Sequence, residues 1–229
     1  DRYKDFKQFK HEVTLSEGVY DPGIFKAFFM AGGPGSGKSY VAKKVTPGLG
    51  LKNVNSDNAF EIGLKKAGLS AKMPDSEAER RDPIRAVAKR VTGNAMDIYI
   101  KGRLGLVIDA TARDLDVIRR QTAKLLELGY DCYLIFVDTT LEVALQRNQE
   151  RSRTVPEDIV KKSHATIQGN KPKLKQLFKQ NYISINNDNA TDDELNMAYK
   201  QVAKLVRKPV KNRTAKQWIE NEIRKKKRR

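Results

Sequence analysis

The sequence has few of the residues that build disulfide frameworks, metal centres and membrane spans. Its 229 residues include one cysteine, Cys132, and two histidines, His11 and His164. A single cysteine cannot close an internal disulfide, which is typical of the reducing cytoplasm, and these three residues lack the spacing of a zinc site. No apolar run approaches the roughly 20 residues that a membrane-spanning helix needs. We therefore expect a soluble, cytoplasmic protein without membrane contact, and the oligomeric state does not follow from the sequence.

Acidic residues are the other shortage. The chain has 28 Asp and Glu against 45 Lys and Arg, which gives a formal net charge of +17. Residues 207–229 hold 11 of the basic residues and 2 of the acidic ones, a net charge of +9. A basic body with a more basic tail favours a polyanionic partner, most simply DNA or RNA, because Lys and Arg that contact phosphates release condensed counterions. For the tail, a solvated extension is the alternative.

Short apolar runs alternate with longer helical patterns along the chain. Runs rich in β-branched and aromatic residues predict five strands, at residues 24–31, 51–56, 104–109, 130–137 and 182–186. The segments between them are long enough for crossover helices. This alternation predicts an α/β fold, in which a five-stranded parallel sheet has helices on both faces.

A glycine-rich segment follows the first predicted strand and matches the phosphate-binding pattern G-x-x-x-x-G-K-[ST] in full. Glycines let the backbone wrap around a triphosphate with its N–H groups turned inward, and the helix that begins near Lys38 adds its positive N-terminal end. Lys38 contacts the β- and γ-phosphates in such loops, and the Ser39 hydroxyl coordinates magnesium. The predicted site for ATP and Mg²⁺ consists of Gly32, Gly33, Pro34, Gly35, Ser36, Gly37, Lys38, Ser39 and the adjoining Tyr40.

Acidic residues stand at the ends of three later strands. Ligands gather at the carboxyl ends of parallel strands, so we expect Asp57, Asp109 and Asp138 near the phosphate loop. Asp57 is a candidate general base for an attacking hydroxyl, or else the N-cap of the following helix. Asp109 is a candidate residue of the magnesium site, or else a simple cap. Thr111 and Arg113 lie beside it, where an acceptor could pass.

Three arginines follow the fourth predicted strand and its helix. Arg147 and Arg151 are four residues apart and share one helix face. Together with Arg153 they are candidates for a lid that folds over ATP and offsets the charge on the transferred phosphoryl group. The alternative is a solvated basic face. The sequence lacks the Asn-Lys-x-Asp pattern that selects guanine, which favours a kinase over a GTPase switch.

These motifs resemble the polynucleotide 5′-hydroxyl kinase and zeta-toxin branch of the P-loop kinases. The resemblance runs from about Ile24 to Asn187 and rests on the glycine loop, on Ser56-Asp57, on Val107–Thr111, and on Arg147-Asn148 followed by Arg151 and Val155-Pro156. It implies a P-loop kinase fold with a five-stranded core, ATP and magnesium as cofactors, Asp57 as general base and an arginine lid. In polynucleotide kinases an arginine that holds the acceptor phosphate commonly follows the base by three residues. This chain has Phe60 there, which could stack on a base instead.

Two further segments carry candidate contacts. The stretch between Asp57 and Leu104 is where kinases of this kind build an acceptor lid, and four arginines in it are candidates for acceptor phosphate or for salt bridges on helix surfaces: Arg80, Arg81, Arg85 and Arg90.

The basic tail carries a small apolar stripe, Trp218, Ile219 and Ile223, with Thr214 as its expected N-cap. The stripe predicts a helix that docks on the core or on a partner. We accordingly divide the chain into an N-terminal extension (1–23), a P-loop kinase domain (24–206) and a basic C-terminal tail (207–229).

Three functions remain open on this reading. The first is an ATP-dependent kinase of 5′-hydroxyl polynucleotide ends, with Lys38, Asp57 and the arginine lid in catalysis. The second keeps the reaction but changes the acceptor to a UDP-amino sugar or another small molecule. The third is a nucleic-acid-associated protein that binds ATP without transferring phosphate.

Overall fold

The computed structural model describes residues 18–151 and 153–228 and contains one parallel five-stranded sheet. Its strands are β1 (Lys26–Ala31), β2 (Lys52–Val54), β3 (Leu106–Thr111), β4 (Asp131–Asp138) and β5 (Tyr182–Asn186), in the order β2-β3-β1-β4-β5. The predicted sheet is thereby confirmed. Residues 1–17 of the predicted N-terminal extension and Arg229 of the tail lie outside the described residues.

Helices cover both faces of the sheet, as the sequence predicts. They are α1 (Lys38–Val45), α2 (Ser56–Lys66), α3 (Ala78–Lys101), α4 (Leu115–Leu128), α5 (Leu141–Glu150), α6 (Glu157–Phe178), α7 (Asp192–Val206) and α8 (Arg213–Lys227). One face packs on α4, α6, α8 and the end of α3, and the other face packs on α1 and α7. The helices α2 and α3 form a hairpin with a small core of its own around Phe60, Leu64, Leu69 and Ala88. Among the described residues, none of the helices is both long and apolar enough to cross a bilayer.

The central strand β1 explains how the sheet is buried on both sides. All six of its residues are buried, and alternate side chains enter opposite cores, so that Phe29 packs on one face and Phe28 on the other. The first residue is a lysine: Lys26 is 1% exposed, and its Nζ donates to the Asp131 carboxylate at 2.5 Å. This partly buried ion pair joins the first residues of β1 and β4, and the sequence pattern did not predict it.

The basic tail is a helix that docks on the protein. Ala215 is fully buried, and Trp218, Ile219 and Ile223 pack against the core face that also holds α4 and α6. The expected N-cap, Thr214, is wrong. Asn212 caps α8 instead, because its side chain accepts a hydrogen bond from the backbone N–H of Ala215.

Candidate nucleotide and acceptor site

The phosphate loop lies between the end of β1 and the start of α1. Gly37 precedes α1 in the left-handed conformation, with φ +79°, and a Cβ at Gly35 would collide with the carbonyl oxygen of Ala144. Only glycine allows this path. The Ser36 Oγ is buried and has no hydrogen-bond partner within the described residues. A hydroxyl left in this way beside the N-terminus of a helix fits an anionic ligand.

Lys38 and Asp109 form an ion pair on the floor of this site. Their side chains are 12% and 19% exposed, and they belong to the start of α1 and to the adjacent strand β3. The structure therefore brings together the predicted phosphate lysine and the predicted magnesium-site aspartate. Ser39 follows Lys38 and is exposed. Tyr40 is half exposed, with the Nζ of Lys44 5.6 Å from its ring centre.

The side chains of Lys38, Ser39 and Asp109 are of the types that bind the phosphates of ATP and Mg²⁺. Mg²⁺ prefers oxygen ligands, keeps several waters and is usually held by one or two protein groups together with substrate phosphates. Ser39 and Asp109 offer such oxygens here. Within residues 18–151 and 153–228, no group of three or more His, Cys, Asp or Glu is arranged to hold a metal ion.

Asp57 meets Arg153 on the β2 side of the site. The Nη2 of Arg153 lies 3.1 Å from the Oδ2 of Asp57, and its Nη1 lies 3.4 Å from the Oδ1. The alternative of Asp57 as an N-cap is wrong, since Asn55 is the cap of α2 and accepts from the Asp57 backbone N–H at 2.8 Å. The Asp57 carboxylate is thus left free of capping and is 40% exposed, while the side chain of Arg153 is 13% exposed.

The three predicted lid arginines have different environments. Arg147 donates to backbone carbonyls of Asn187 at 2.6 Å, of Asp188 at 2.9 Å and of Ser36 at 3.5 Å. It therefore links the phosphate loop to the residues that follow β5. Arg151 is exposed at the end of α5, and Arg153 alone of the three reaches Asp57.

Two asparagines support this arrangement, and sequence reasoning gave neither of them a role. Asn148 is 4% exposed and exchanges two hydrogen bonds with the backbone of Val155, at 2.7 and 2.9 Å, which holds both ends of the loop that carries Arg153. Asn187 donates to the Ser36 carbonyl at 2.8 Å. Asn148 is part of the Arg147-Asn148 motif in the sequence, which could have drawn attention to it. Its bonding partner, Val155, could not be predicted, because Val155 is seven residues away in a loop without regular structure.

Phe60 is not a platform for a base. Its side chain is 1% exposed, and the guanidinium groups of Arg85 and Arg153 lie 4.2 and 5.8 Å from the ring centre. Burial lowers the pKa of Arg85, the nearby charge of Arg153 lowers it further, and Asp57 acts in the opposite direction. The predicted stacking role is therefore wrong, because the ring belongs to the core of the α2–α3 hairpin.

Most arginines of this hairpin bind its own backbone and side chains. Arg80 donates to the Ala67 carbonyl at 3.1 Å, Arg81 to the Pro74 carbonyl at 3.0 Å, and Arg85 to the sulfur of Met73 at 3.7 Å. These contacts hold the turn between the two helices. Arg80 and Arg90 are exposed, and of the four candidate arginines Arg90 is the one without a hydrogen bond to the described part of the hairpin.

A strained turn and a groove lie at the end of β3. Thr111 and Ala112 have φ of +38° and +76°, values that cost free energy in residues with a Cβ. Asn170 donates to the carbonyl of Ala112 at 3.0 Å, and Arg113 donates to Ser163 Oγ at 3.3 Å, so α6 holds the turn. Beside it is an open groove of about 700 Å³. Its lining is mixed in charge and includes Thr111, Arg113, Asp114, Asp116, Arg119 and Lys173.

Asp138 lies at the end of β4, as the sequence predicts, but within an internal network. Gln168 donates to its carboxylate at 2.7 Å, and Lys171 forms an ion pair with it. Burial opposes the charged form, but the hydrogen bonds from Lys171 and Gln168 and the charge of Lys171 outweigh it and lower the pKa of Asp138. The network ties β4 to α6, which suits a structural role.

Comparison with known proteins identifies the family. The family model AAA_33, described as an AAA domain, matches residues 28–170, more than half of the chain. The chain belongs to this family. The match runs from β1 through the phosphate loop and the arginine loop into α6, so it contains Lys38, Asp57, Asp109 and Arg153. No curated protein sequence matches the chain.

Solved structures share the fold at low sequence identity. A candidate kinase from Chloroflexus aurantiacus has a TM-score of 0.56 at 14% identity, covering 79% of this chain and 95% of that one. A chain of the AvrRxo1-ORF1:AvrRxo1-ORF2 complex, in a structure with ATP, has a TM-score of 0.57 at 17% identity, covering 75% of this chain and 57% of that one. This chain thus spans a little over half of the AvrRxo1 chain. Identities this low show a shared kinase-like P-loop fold.

Proposed function

We propose that the protein is an ATP- and magnesium-dependent kinase that transfers the γ-phosphate to a hydroxyl group. The observation that carries the proposal is the pairing of Asp57 with Arg153. Asp57 follows β2 on one side of β1, and Arg153 follows β4 and α5 on the other side. Their contact therefore spans the strand that leads into the phosphate loop. A carboxylate that can accept the hydroxyl proton and a cation that can offset the charge on the transferred phosphoryl group are the groups that such a transfer uses.

The named side chains then have separate tasks. In this proposal Lys38 and the backbone N–H groups of the loop bind the phosphates. Ser39 and Asp109 would hold the metal, which would neutralise phosphate charge. Asp57 accepts the hydroxyl proton. Arg153 contacts both oxygens of Asp57, and we propose that it turns toward the phosphoryl group during transfer. Arg147 acts at a distance, by bracing the Ser36 carbonyl.

For the acceptor, we propose first the 5′-hydroxyl end of a polynucleotide, as in the kinase branch that the motifs resemble. The net charge of +17 supports a polyanionic substrate. So does the groove at the end of β3, where Arg113, Arg119 and Lys173 can meet phosphodiester groups.

A small acceptor such as a UDP-amino sugar is the second candidate, and two observations favour it. The ring of Phe60 is covered, so that position offers no stacking surface. The groove has a size typical of small-molecule sites, with two acidic residues, Asp114 and Asp116, among the basic ones. Acidic side chains suit sugar hydroxyls better than phosphates.

Transfer of labelled γ-phosphate tests the proposal. The acceptors are 5′-hydroxyl DNA, 5′-hydroxyl RNA and a UDP-amino sugar, each with ATP and Mg²⁺. Lys38→Ala is the blank, and Lys43→Ala, an exposed lysine on the same helix, is the matched control. We expect label on an oligonucleotide with the wild type and with Lys43→Ala, and none with Lys38→Ala.

The other outcomes are also informative. Label on the sugar alone would keep the kinase and select the second acceptor. No label on any acceptor, together with ATP binding that Lys38→Ala abolishes, would contradict the kinase and favour an ATP-binding protein that acts on nucleic acid in another way.

A further inference from the structure

We propose that the outer face of α8 is a binding surface for single-stranded polynucleotide, separate from the nucleotide cleft and at the opposite end of the sheet. We call this surface the α8 face and define it by the exposed basic residues of that helix and of its C-cap: Arg213, Lys216, Arg224, Lys225, Lys226, Lys227 and Arg228. The proposal holds whichever acceptor the cleft uses.

The position of α8 follows from its contacts. The ring of Trp218 lies edge-on to Phe25, the residue before β1, at 5.6 Å between centres. At the helix start, Gly129, just before β4, approaches so closely that a Cβ there would lie 2.9 Å from the Ala215 Cβ. These contacts are at the amino ends of the strands, whereas the phosphate loop is at the carboxyl ends. The six residues of β1 separate the two by about 20 Å at about 3.3 Å per residue.

The apolar side of α8 is already used in this packing. Ala215 is buried, and Trp218, Ile219 and Ile223 lie against the core. No residue of α8 is among the large apolar side chains that the described structure leaves exposed. A helix that lies on a lipid surface needs its apolar face turned outward. In α8 that face is turned inward, and a charged face remains.

The outward charge is mostly uncompensated. The helix has two acidic residues, Glu220 and Glu222, and Glu222 pairs with Lys225 at 2.7 Å. Arg224, Lys227 and Arg228 lie in the last turn and beyond it, without an acidic partner in the described part of the chain. Because the packed stripe fixes the helix, binding phosphates there costs less conformational entropy than binding them with a free tail.

An exposed aromatic ring adjoins the charges. Tyr20 is 63% exposed, and the Nζ of Lys226 lies 5.2 Å from its ring centre. Lys226 is three residues after Ile223, so the ring lies at the edge of the α8 face, beside the packed side of the helix. An aromatic ring at the edge of a cationic surface can bind single strands without regard to sequence, since a base can stack while the backbone follows the charges. A base that is paired in a duplex could not reach Tyr20 in this way.

Binding of a fluorescent, 5′-phosphorylated oligothymidylate of about 16 nucleotides, near the upper size for one binding module, tests the proposal, because its 5′ end has no acceptor hydroxyl. The variant is Arg224→Gln/Lys226→Gln/Lys227→Gln. The matched control is Lys43→Gln/Lys200→Gln/Lys204→Gln, which removes three exposed charges from α1 and α7 on the other face of the sheet. Both variants are read by anisotropy between about 0.05 and 0.2 M salt.

We expect the α8 variant to raise Kd at least about tenfold and to reduce the slope of log K against log salt by about 2, the effect of three lost contacts on a single strand. The control should change Kd less than about threefold. Tyr20→Ala should raise Kd by about fivefold or more without changing the salt slope, as the loss of one stacked base would.

Three results would overturn the proposal. Equal losses in the two triple variants would mean that only net charge matters. A larger loss in Arg113→Gln/Arg119→Gln than in the α8 variant would place the strand in the cleft. Binding to phosphatidylserine vesicles that the α8 variant abolishes, while oligonucleotide binding persists, would make the surface a lipid contact. Kinase activity enters none of these measurements, so failure of the proposed function would be seen separately.

Discussion

The two ends of the sheet are held by different kinds of interaction. At the carboxyl ends, charged and amide side chains dominate, with ion pairs between Lys38 and Asp109 and between Asp57 and Arg153. At the amino ends, one ion pair, Lys26–Asp131, lies beside a cluster of rings, in which Phe25 is edge-on to both Tyr130 and Trp218 at 5.5 and 5.6 Å.

The difference matches what each end has to do. Ion pairs and hydrogen bonds in a partly exposed cleft can exchange partners when a charged ligand arrives, because solvent and ligand replace what is lost. Apolar packing has no such exchange, so it fixes α8 in one place. Changes to the cleft residues at the carboxyl end should therefore affect catalysis most, and changes at the amino end should affect stability alone.

Asp57→Asn should have the largest effect. We expect kcat to fall by about 10²–10⁴-fold, the usual contribution of a general base, while the Kd for ATP changes little, since Asp57 is outside the phosphate loop. Initial rates and nucleotide binding measure both. Glu61→Gln is the control on the same helix, because Glu61 also approaches Arg153, at 3.9 Å, without reaching the base position. Full activity in Asp57→Asn would remove the base from the mechanism.

Trp218→Ala should lower the free energy of unfolding by about 3 kcal/mol, because a large ring that packs on Phe25 is lost. Denaturant unfolding measures it. Trp218→Phe keeps an aromatic contact and should lose about 1 kcal/mol. ATP affinity should be the same in both variants. A matching loss of ATP affinity would show that the two ends are coupled and not separate.

Asn148→Ala should lower both the stability of the protein and its kcat, each by less than in the two variants above. Its loss leaves the N–H and C=O of Val155 without their partner, which costs about 2 kcal/mol in stability. Because Arg153 then loses its fixed position, kcat should fall about tenfold. Gln146→Ala, whose side chain bonds Glu150 on the exposed face of the same helix, is the control. An unchanged kcat in Asn148→Ala would mean that the hydrogen bonds between Asn148 and Val155 are not needed for catalysis.

Asp138→Asn should have the smallest effect, about 1 kcal/mol, and one that depends on pH. The folded-state pKa of Asp138 lies below its ordinary value of 3.8, so the folded protein binds this proton more weakly than the unfolded chain. The contribution of Asp138 is therefore fully present above about pH 5 and is lost as pH falls through the folded pKa, below 3.8. Urea unfolding at several pH values should show the wild-type advantage shrinking below pH 4. If the stability difference between wild type and Asp138→Asn grew on acidification, the folded-state pKa of Asp138 would be raised and not lowered.

The sequence by itself determined the features that are contiguous. Gly32–Ser39 specifies its own backbone path and carries its own lysine, so the phosphate loop could be predicted before any fold was known. The strands followed from apolar runs, with bounds that moved by a few residues; β2 ends at Val54 because Asn55 already caps α2. Asp57, Asp109 and Asp138 were predicted at strand ends for the same local reason.

Only the tertiary structure decided which of these groups meet. Arg153 reaches Asp57 across 96 residues, and Asn187 reaches Ser36 across 151, because the strand order β2-β3-β1-β4-β5 places their elements around β1. Local pattern does not contain that order. The same order sends Phe60 into the hairpin core and puts the basic helix α8 at the end of the sheet away from the cleft, since its apolar stripe fits the rings there.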